Sequence, residues 1–249
     1  MSSNRIPIQS IIEKLDCYLN QEDYQSADRL LRYWKNEAIS IGDSKGELEI
    51  LNEILGFSRR MNDSESGLSA VRRSIELIGR IQLPEITAGT ILLNAATTLK
   101  CFGKPEEAIE RYEDAKRRFD GSLPQKDKLW GGFYNNYALA LSDVGRFEDA
   151  LDHYQNAIDV MMQTEHGTLE VAITLMNIAE LFERLGNYEQ LIEQNLEQAL
   201  YYLDDPALPR NGYYAFVCRK CAPTFGHFGW FKAERDLNER ADRIYEGNQ

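Results

Sequence analysis

The sequence predicts an all-α fold, a right-handed superhelix of about six antiparallel helical hairpins. Three observations carry that expectation. Apolar residues recur at the i, i+3, i+4, i+7 spacing of amphipathic helices along most of the 249 residues. Glycines sit between successive apolar stripes, where a residue tolerant of positive φ ends one helix and admits a tight turn. The pattern of one unit also returns at a nearly constant distance, with Gly103 and Gly145 separated by 42 residues and Gly145 and Gly186 by 41.

The units read in order as residues 8–40, 46–81, 85–119, 126–162, 168–203 and 211–246 of a single domain over 8–246, with tails at 1–7 and 247–249. The first two are the faintest: Ile11 and Leu15 with Tyr24, Ala27, Leu31 and Trp34, then Ile50, Ile54 and Phe57 with Leu68, Val71 and Ile75. In the third, Leu92, Ala95, Ala96 and Leu99 precede Gly103-Lys104-Pro105, and Ala108, Ile109, Tyr112 and Ala115 follow, with Pro105 suited to a first helical turn. The fourth is the clearest, with Tyr134, Tyr137, Ala138 and Leu141 before Gly145 and Phe147, Ala150, Leu151, Tyr154, Ala157 and Ile158 after it.

In the fifth, Leu175, Ile178, Ala179 and Phe182 precede Gly186, and Leu191, Ile192, Leu196 and Ala199 follow with a slip of one place, assigned to Asn195 at an expected apolar position. The sixth has Cys218, Cys221, Ala222 and Phe225 with Trp230, Ala233, Leu237 and Ala241. There Pro223 is expected to kink or break the first helix.

This succession of Leu or Tyr, Ala, Gly-x-Tyr/Phe, Ala, Tyr and Ala resembles the tetratricopeptide repeat over roughly residues 8–246. The spacing exceeds that family's usual ~34 residues, and such long units are similar to those of kinesin light chains and bacterial peptide-pheromone receptors. The resemblance implies a chain that binds a peptide or protein segment along an inner groove. Pheromone receptors often carry an effector segment before the repeats. No such segment precedes Ile8, so an effector role is expected to require another chain or to proceed by sequestering one.

Composition narrows the partners. Forty acidic against 28 basic residues give a formal charge of −12, which disfavours nucleic acid and anionic lipid and favours a neutral or basic segment. The opening Met-Ser-Ser-Asn-Arg-Ile-Pro-Ile has no apolar signal core, and no apolar run approaches the ~20 residues of a membrane span. A cytoplasmic protein with reduced cysteines and no membrane contact is expected.

No catalytic pattern stands out, and neither a cofactor nor a metal is expected. His153, His166 and His227 fall in no metalloprotease or triad motif, and the glycine clusters lack phosphate-loop spacing. Cys218-Arg-Lys-Cys221 with His227 is short of the four ligands of a closed zinc site, and both cysteines occupy core positions. Glu106-Glu107 and Glu148-Asp149 open second helices, where the helix dipole favours negative charge.

Candidate groove residues are polar. Asn94, Asn136 and Asn177 each stand nine residues before a turn glycine, and Asn52 is read as the equivalent in the second unit. An amide offers both a donor and an acceptor to an extended peptide backbone, so the four form a candidate binding ladder. Duplication without a present role, or an internal strut, is the alternative. The resemblance places this position on the groove, and in chaperone-binding members it helps hold a terminal carboxylate together with basic residues. Aligning the repeats puts Leu93, Thr97, Asn136, Ile173 and Asn177 at those clamp positions, and a shift of one repeat puts Asn135, Leu139, Asn177, Phe216 and Lys220 there, restoring one cation.

A rival reading is a structural subunit that homo- or hetero-oligomerises through the C-terminal aromatics Tyr201, Tyr202, Tyr213, Tyr214, Phe216, Phe225, Phe228, Trp230 and Phe231.

Overall fold

Six times the chain winds a helix, stops it with a residue at positive φ and returns antiparallel. The computed structural model describes residues 5–186 and 188–247. Among these it has twelve α-helices and no strand: α1 (Ile8–Asn20), α2 (Tyr24–Ile41), α3 (Ser44–Met61), α4 (Ser64–Ile78), α5 (Glu85–Cys101), α6 (Pro105–Phe119), α7 (Lys128–Asp143), α8 (Phe147–Met161), α9 (Thr168–Leu185), α10 (Glu189–Leu203), α11 (Gly212–His227) and α12 (Phe231–Glu246). Each odd-numbered helix and its successor form one hairpin.

The stops define the register. Glu22, Asn62, Gly103, Gly145, Gly186 and Gly229 have φ of 56, 53, 72, 79, 73 and 82°. After five of them the next N–H donates back to the carbonyl five residues before it: Asp23 to Tyr18, Asp63 to Ser58, Lys104 to Leu99, Arg146 to Leu141 and Trp230 to Phe225. This bond satisfies carbonyls that the helix end would otherwise leave unpaired. The first two stops are Glu and Asn, which is why the early units carry no glycine signal.

Counting back from each stop recovers the core. Seven residues before it stand Leu15, Leu55, Ala96, Ala138, Ala179 and Ala222, all buried. Fourteen residues before it the later helices have Gly89, Gly131, Ala172 and Ala215, which let the returning helix come close. A Cβ at Gly89 would meet Phe119 Cε1 at 2.5 Å, and Phe119 is itself fully buried. The second helices contribute Tyr112 and Tyr154, buried among Ala108 and Ala115 and among Ala150 and Ala157 respectively. Burial of each such large side chain stabilises the fold by about 1.5–3 kcal/mol.

Contacts divide the chain into two compact units, Met1–Leu123 and Pro124–Gln249. In the first, α1 lies beside α3 and α3 beside α5; in the second, α7 lies beside α9 and α9 beside α11. Each unit therefore has a face built from first helices, with the second helices behind.

Three sequence expectations need correction. Residues 5–7 are not a free tail: Ile6 is buried and its N–H donates to Asp43 Oδ2 at 3.0 Å, pinning the segment to the start of α3. The remainder of the expected tails, residues 1–4 and 248–249, lies outside the described residues. Pro223 does not break α11, which runs from Gly212 to His227. Pro223 and Arg219, the residue whose carbonyl loses its donor, are both exposed, so water can satisfy the freed group. The slip in α10 comes from the turn: three residues lead from Gly186 to the first helical residue Glu189, against two from Gly145 to Phe147. Asn195 follows from that shift and donates to the Leu191 carbonyl at 2.7 Å.

Candidate interaction surface

Nine residues before the stops, the first-helix face presents Glu13, Glu53, Asn94, Asn136, Asn177 and Lys220. All six are half-buried or exposed, and none belongs to the core. Asn52 therefore is not the equivalent of Asn94. It stands ten residues before its stop, in register with Asn135, because Asn62 and not a glycine ends α3.

That offset explains how the asparagines meet. Asn94 Nδ2 donates to Asn52 Oδ1 at 2.8 Å, joining α5 to α3, and Asn177 Nδ2 donates to Asn135 Oδ1 at 2.9 Å, joining α9 to α7. Thr174 Oγ1 donates to the same Asn135 oxygen at 3.2 Å, and the Asn135 amide approaches Asn136 Oδ1 at 3.5 Å. One bridge recurs once in each unit. Each donor amide retains a second N–H, so the pairs cross-brace neighbouring first helices and still border the surface.

In the second unit the carboxylates of this face are engaged. Glu170 accepts from the Tyr213 hydroxyl at 2.8 Å, Glu180 from Thr224 Oγ1 at 2.8 Å, and Glu183 lies 2.8 and 2.9 Å from His227 Nε2. Burial and the Glu170 carboxylate together hold the Tyr213 phenol above its usual range. Tyr213 and Phe216 stack with ring centroids 6.0 Å apart, 45% and 48% exposed, and Lys220 is exposed one turn beyond Phe216.

The first unit differs. Glu13, Asp16, Glu49 and Glu53 occupy the first-helix face of α1 and α3, and none makes an ion pair among the described residues. Burial raises the pKa of Glu53 and nearby Asp16 adds to the rise, while the Asn52 amide partly offsets it. Glu49 is raised by burial and by Asp43, against Arg5 and Lys45. An open depression of about 320 Å3 lies between them, lined by Ile12, Glu49, Asn52, Glu53, Ile86, Thr87, Thr90 and Ile91. Arg59, further along α3, donates to the Asn94 carbonyl at 3.1 Å and to Thr98 Oγ1 at 2.7 Å, and burial lowers its pKa. Sequence reasoning missed both Glu53 and Arg59; the Asn62-Asp63 pair, a left-handed stop followed by a helix cap, was the signal for them.

Cys218 and Cys221 are buried in α11, and burial pushes the Cys221 thiol up to about 12. Thiols so placed act as apolar packing. Among the described residues no three His, Cys, Asp or Glu side chains come together to hold a metal ion. No described helix is long and apolar enough to cross a membrane. The C-terminal aromatics divide: Tyr214 and Phe225 are fully buried, whereas Tyr201 and Phe231 are 75% and 64% exposed.

The tetratricopeptide repeat family model matches residues 132–200. No curated protein sequence matches the chain. Among solved structures, BtubC (BKLC) from P. vanneervenii is similar over 92% of this chain and 91% of its own, at 16% identity and a TM-score of 0.59. A kinesin-light-chain-type protein of Podosopora anserina with nearly identical TPR-like repeats is similar over 81% of this chain and 96% of its own, at 13% identity and a TM-score of 0.56. Pseudomonas aeruginosa pilF is similar over 96% and 92%, at 15% identity and a TM-score of 0.51. At these identities the likeness is one of fold.

Proposed function

We propose that this chain, whose residues 132–200 match the tetratricopeptide repeat family model and whose fold is similar to that of such proteins, is a protein-interaction scaffold that works without catalysis by holding an extended peptide or protein segment against the first-helix faces of its units. One observation carries the reading. Where the core repeats small and apolar residues at fixed distances from the stops, the same backbone position on the first-helix face changes from Glu53 to Asn94, Asn136, Asn177 and Lys220. A repeated scaffold with a varied face presents a different chemistry to each part of a bound segment.

Under this reading the asparagines border the segment and hold its neighbours in register, and accessible apolar positions such as Leu139 and Phe216 supply contact area. The partner is a neutral or basic segment, given the −12 balance, and the setting is cytoplasmic.

Selection of a random-peptide library on the immobilised protein tests the proposal. Peptides recovered on the wild type should lose binding to Thr87→Arg or Phe216→Arg and keep it on Arg29→Glu or Glu197→Lys, which lie on second helices. Loss confined to the second-helix variants would contradict it.

A second reading has its own support: exposed Phe231 lines an open depression of about 870 Å3 with Trp230, Leu200 and Arg240, a surface suited to self-association. Sedimentation of wild type and Phe231→Glu decides it. A dimer dissociated by the substitution would favour it, and two monomers would remove it.

A further inference from the structure

We propose that the depression between α1, α3 and α5 is a pocket for one long cationic side chain, lysine or arginine, of the bound segment. The proposal rests on the first-helix-face reading and names what one part of that face selects.

The lining divides by chemistry. Ile12, Ile86 and Ile91 give apolar walls contributed by α1 and α5, and Glu49 and Glu53 give two carboxylates one turn apart on α3. At about 320 Å3 the space is at the lower end of the ~300–1,000 Å3 of small-ligand pockets, a scale suited to a single side chain rather than a whole segment. A lysine or arginine has both parts that this lining asks for, an apolar stem to lie on isoleucine and a charged head to meet a carboxylate. Thr87 and Thr90 border the rim with hydroxyls; that of Thr90 already donates to the Ile86 carbonyl at 2.8 Å.

The contrast with the second unit gives the charge argument. There Glu170, Glu180 and Glu183 each have a hydrogen-bond partner on α11. In the pocket, Glu53 is half-buried beside another acid, Asp16, with no cation paired to it among the described residues. A carboxylate held away from water without a counter-charge is costly, and a cation arriving with a ligand removes the cost. Asn52 fixes the geometry: its oxygen accepts from Asn94, which leaves its own amide N–H groups to face the Glu53 side.

The test uses protein carrying 13C-labelled isoleucine methyls and three capped pentapeptides that differ only at the centre, with lysine, arginine or norleucine among alanines. Titration with the lysine or the arginine peptide should move the methyl signals of Ile12, Ile86 and Ile91 saturably, and the larger response tells which head group the pocket prefers. The norleucine peptide should leave them in place. Glu53→Gln should weaken the cationic peptides by on the order of tenfold, and raising salt should weaken them further. Unmoved methyls with both cationic peptides, or equal shifts with norleucine, would overturn the assignment. Failure here, with library peptides still lost on Phe216→Arg, removes the pocket and leaves the scaffold reading standing. Failure of both removes the scaffold reading as well.

Discussion

Asn177 and Asn135 meet across two helices at 2.9 Å and are only half-buried, so their bond is a modest brace. Replacing either by alanine should lower unfolding free energy by about 0.5–1.5 kcal/mol, the net worth of a typical hydrogen bond. In a urea double-mutant cycle the pair should show coupling. Strictly additive losses would mean that the bond contributes nothing, and weakened peptide binding at unchanged stability would restore the ladder role. Glu53 behaves in the opposite sense. Its folded pKa is raised, so the native state binds its proton at a higher pH than the unfolded chain does, and the group's contribution falls as pH rises through that window. Glu53→Gln should therefore raise the melting temperature at neutral pH and flatten the gain on mild acidification, even as it weakens cationic peptides. Equal melting at pH 7 would show that the carboxylate is well solvated. Gly89→Ala, by contrast, pushes a methyl against the buried Phe119 ring. About 1–3 kcal/mol of destabilisation is expected from overpacking. Gly131→Ala should cost less, because the side chain that it meets is the flexible Met161.

Helix ends decided what could be read at the level of elements. Where Gly103, Gly145 and Gly186 mark a stop, the hairpins follow from the sequence with their turns in place. Where Glu22 and Asn62 adopt the same conformation, the register had no marker, and Asn52 was aligned one residue away from its true equivalent, Asn135. That single offset concealed Glu53, and with it the pocket. Pro223 misled for a related reason: its consequence depends on which face of α11 receives the freed carbonyl, and sequence does not give that face. Because the lost bond is exposed, Pro223→Ala should stabilise α11. Helix propensity favours alanine by about 3 kcal/mol, and the gain in unfolded-chain entropy returns about 0.4–1 of it. A rise of about 2 kcal/mol in unfolding free energy is expected, read from the denaturant midpoint. A fall would mean that Pro223 makes contacts that its exposure does not reveal.

For the whole molecule, the proposed function rests on the first-helix faces of the two units, whose side chains vary from repeat to repeat. Their legibility was partial. The asparagine positions were visible as a recurrence, and Lys220 through an alignment shifted by one repeat, but whether a polar side chain braces a neighbour or faces a ligand depends on the angle between adjacent first helices. The unpaired carboxylates of α1 and α3 also hid inside an overall charge of −12, which says nothing of where they lie. The account is tested most directly by site-specific photo-crosslinking in the source cell, with a photoreactive residue placed in turn at Thr90 and Phe216 on the first-helix faces and at Arg29 and Glu197 on second helices. The first two positions should capture a common protein partner and the last two should not. Capture at Arg29 and Glu197, with none at Thr90 or Phe216, would contradict the assignment of the first-helix face as the binding surface.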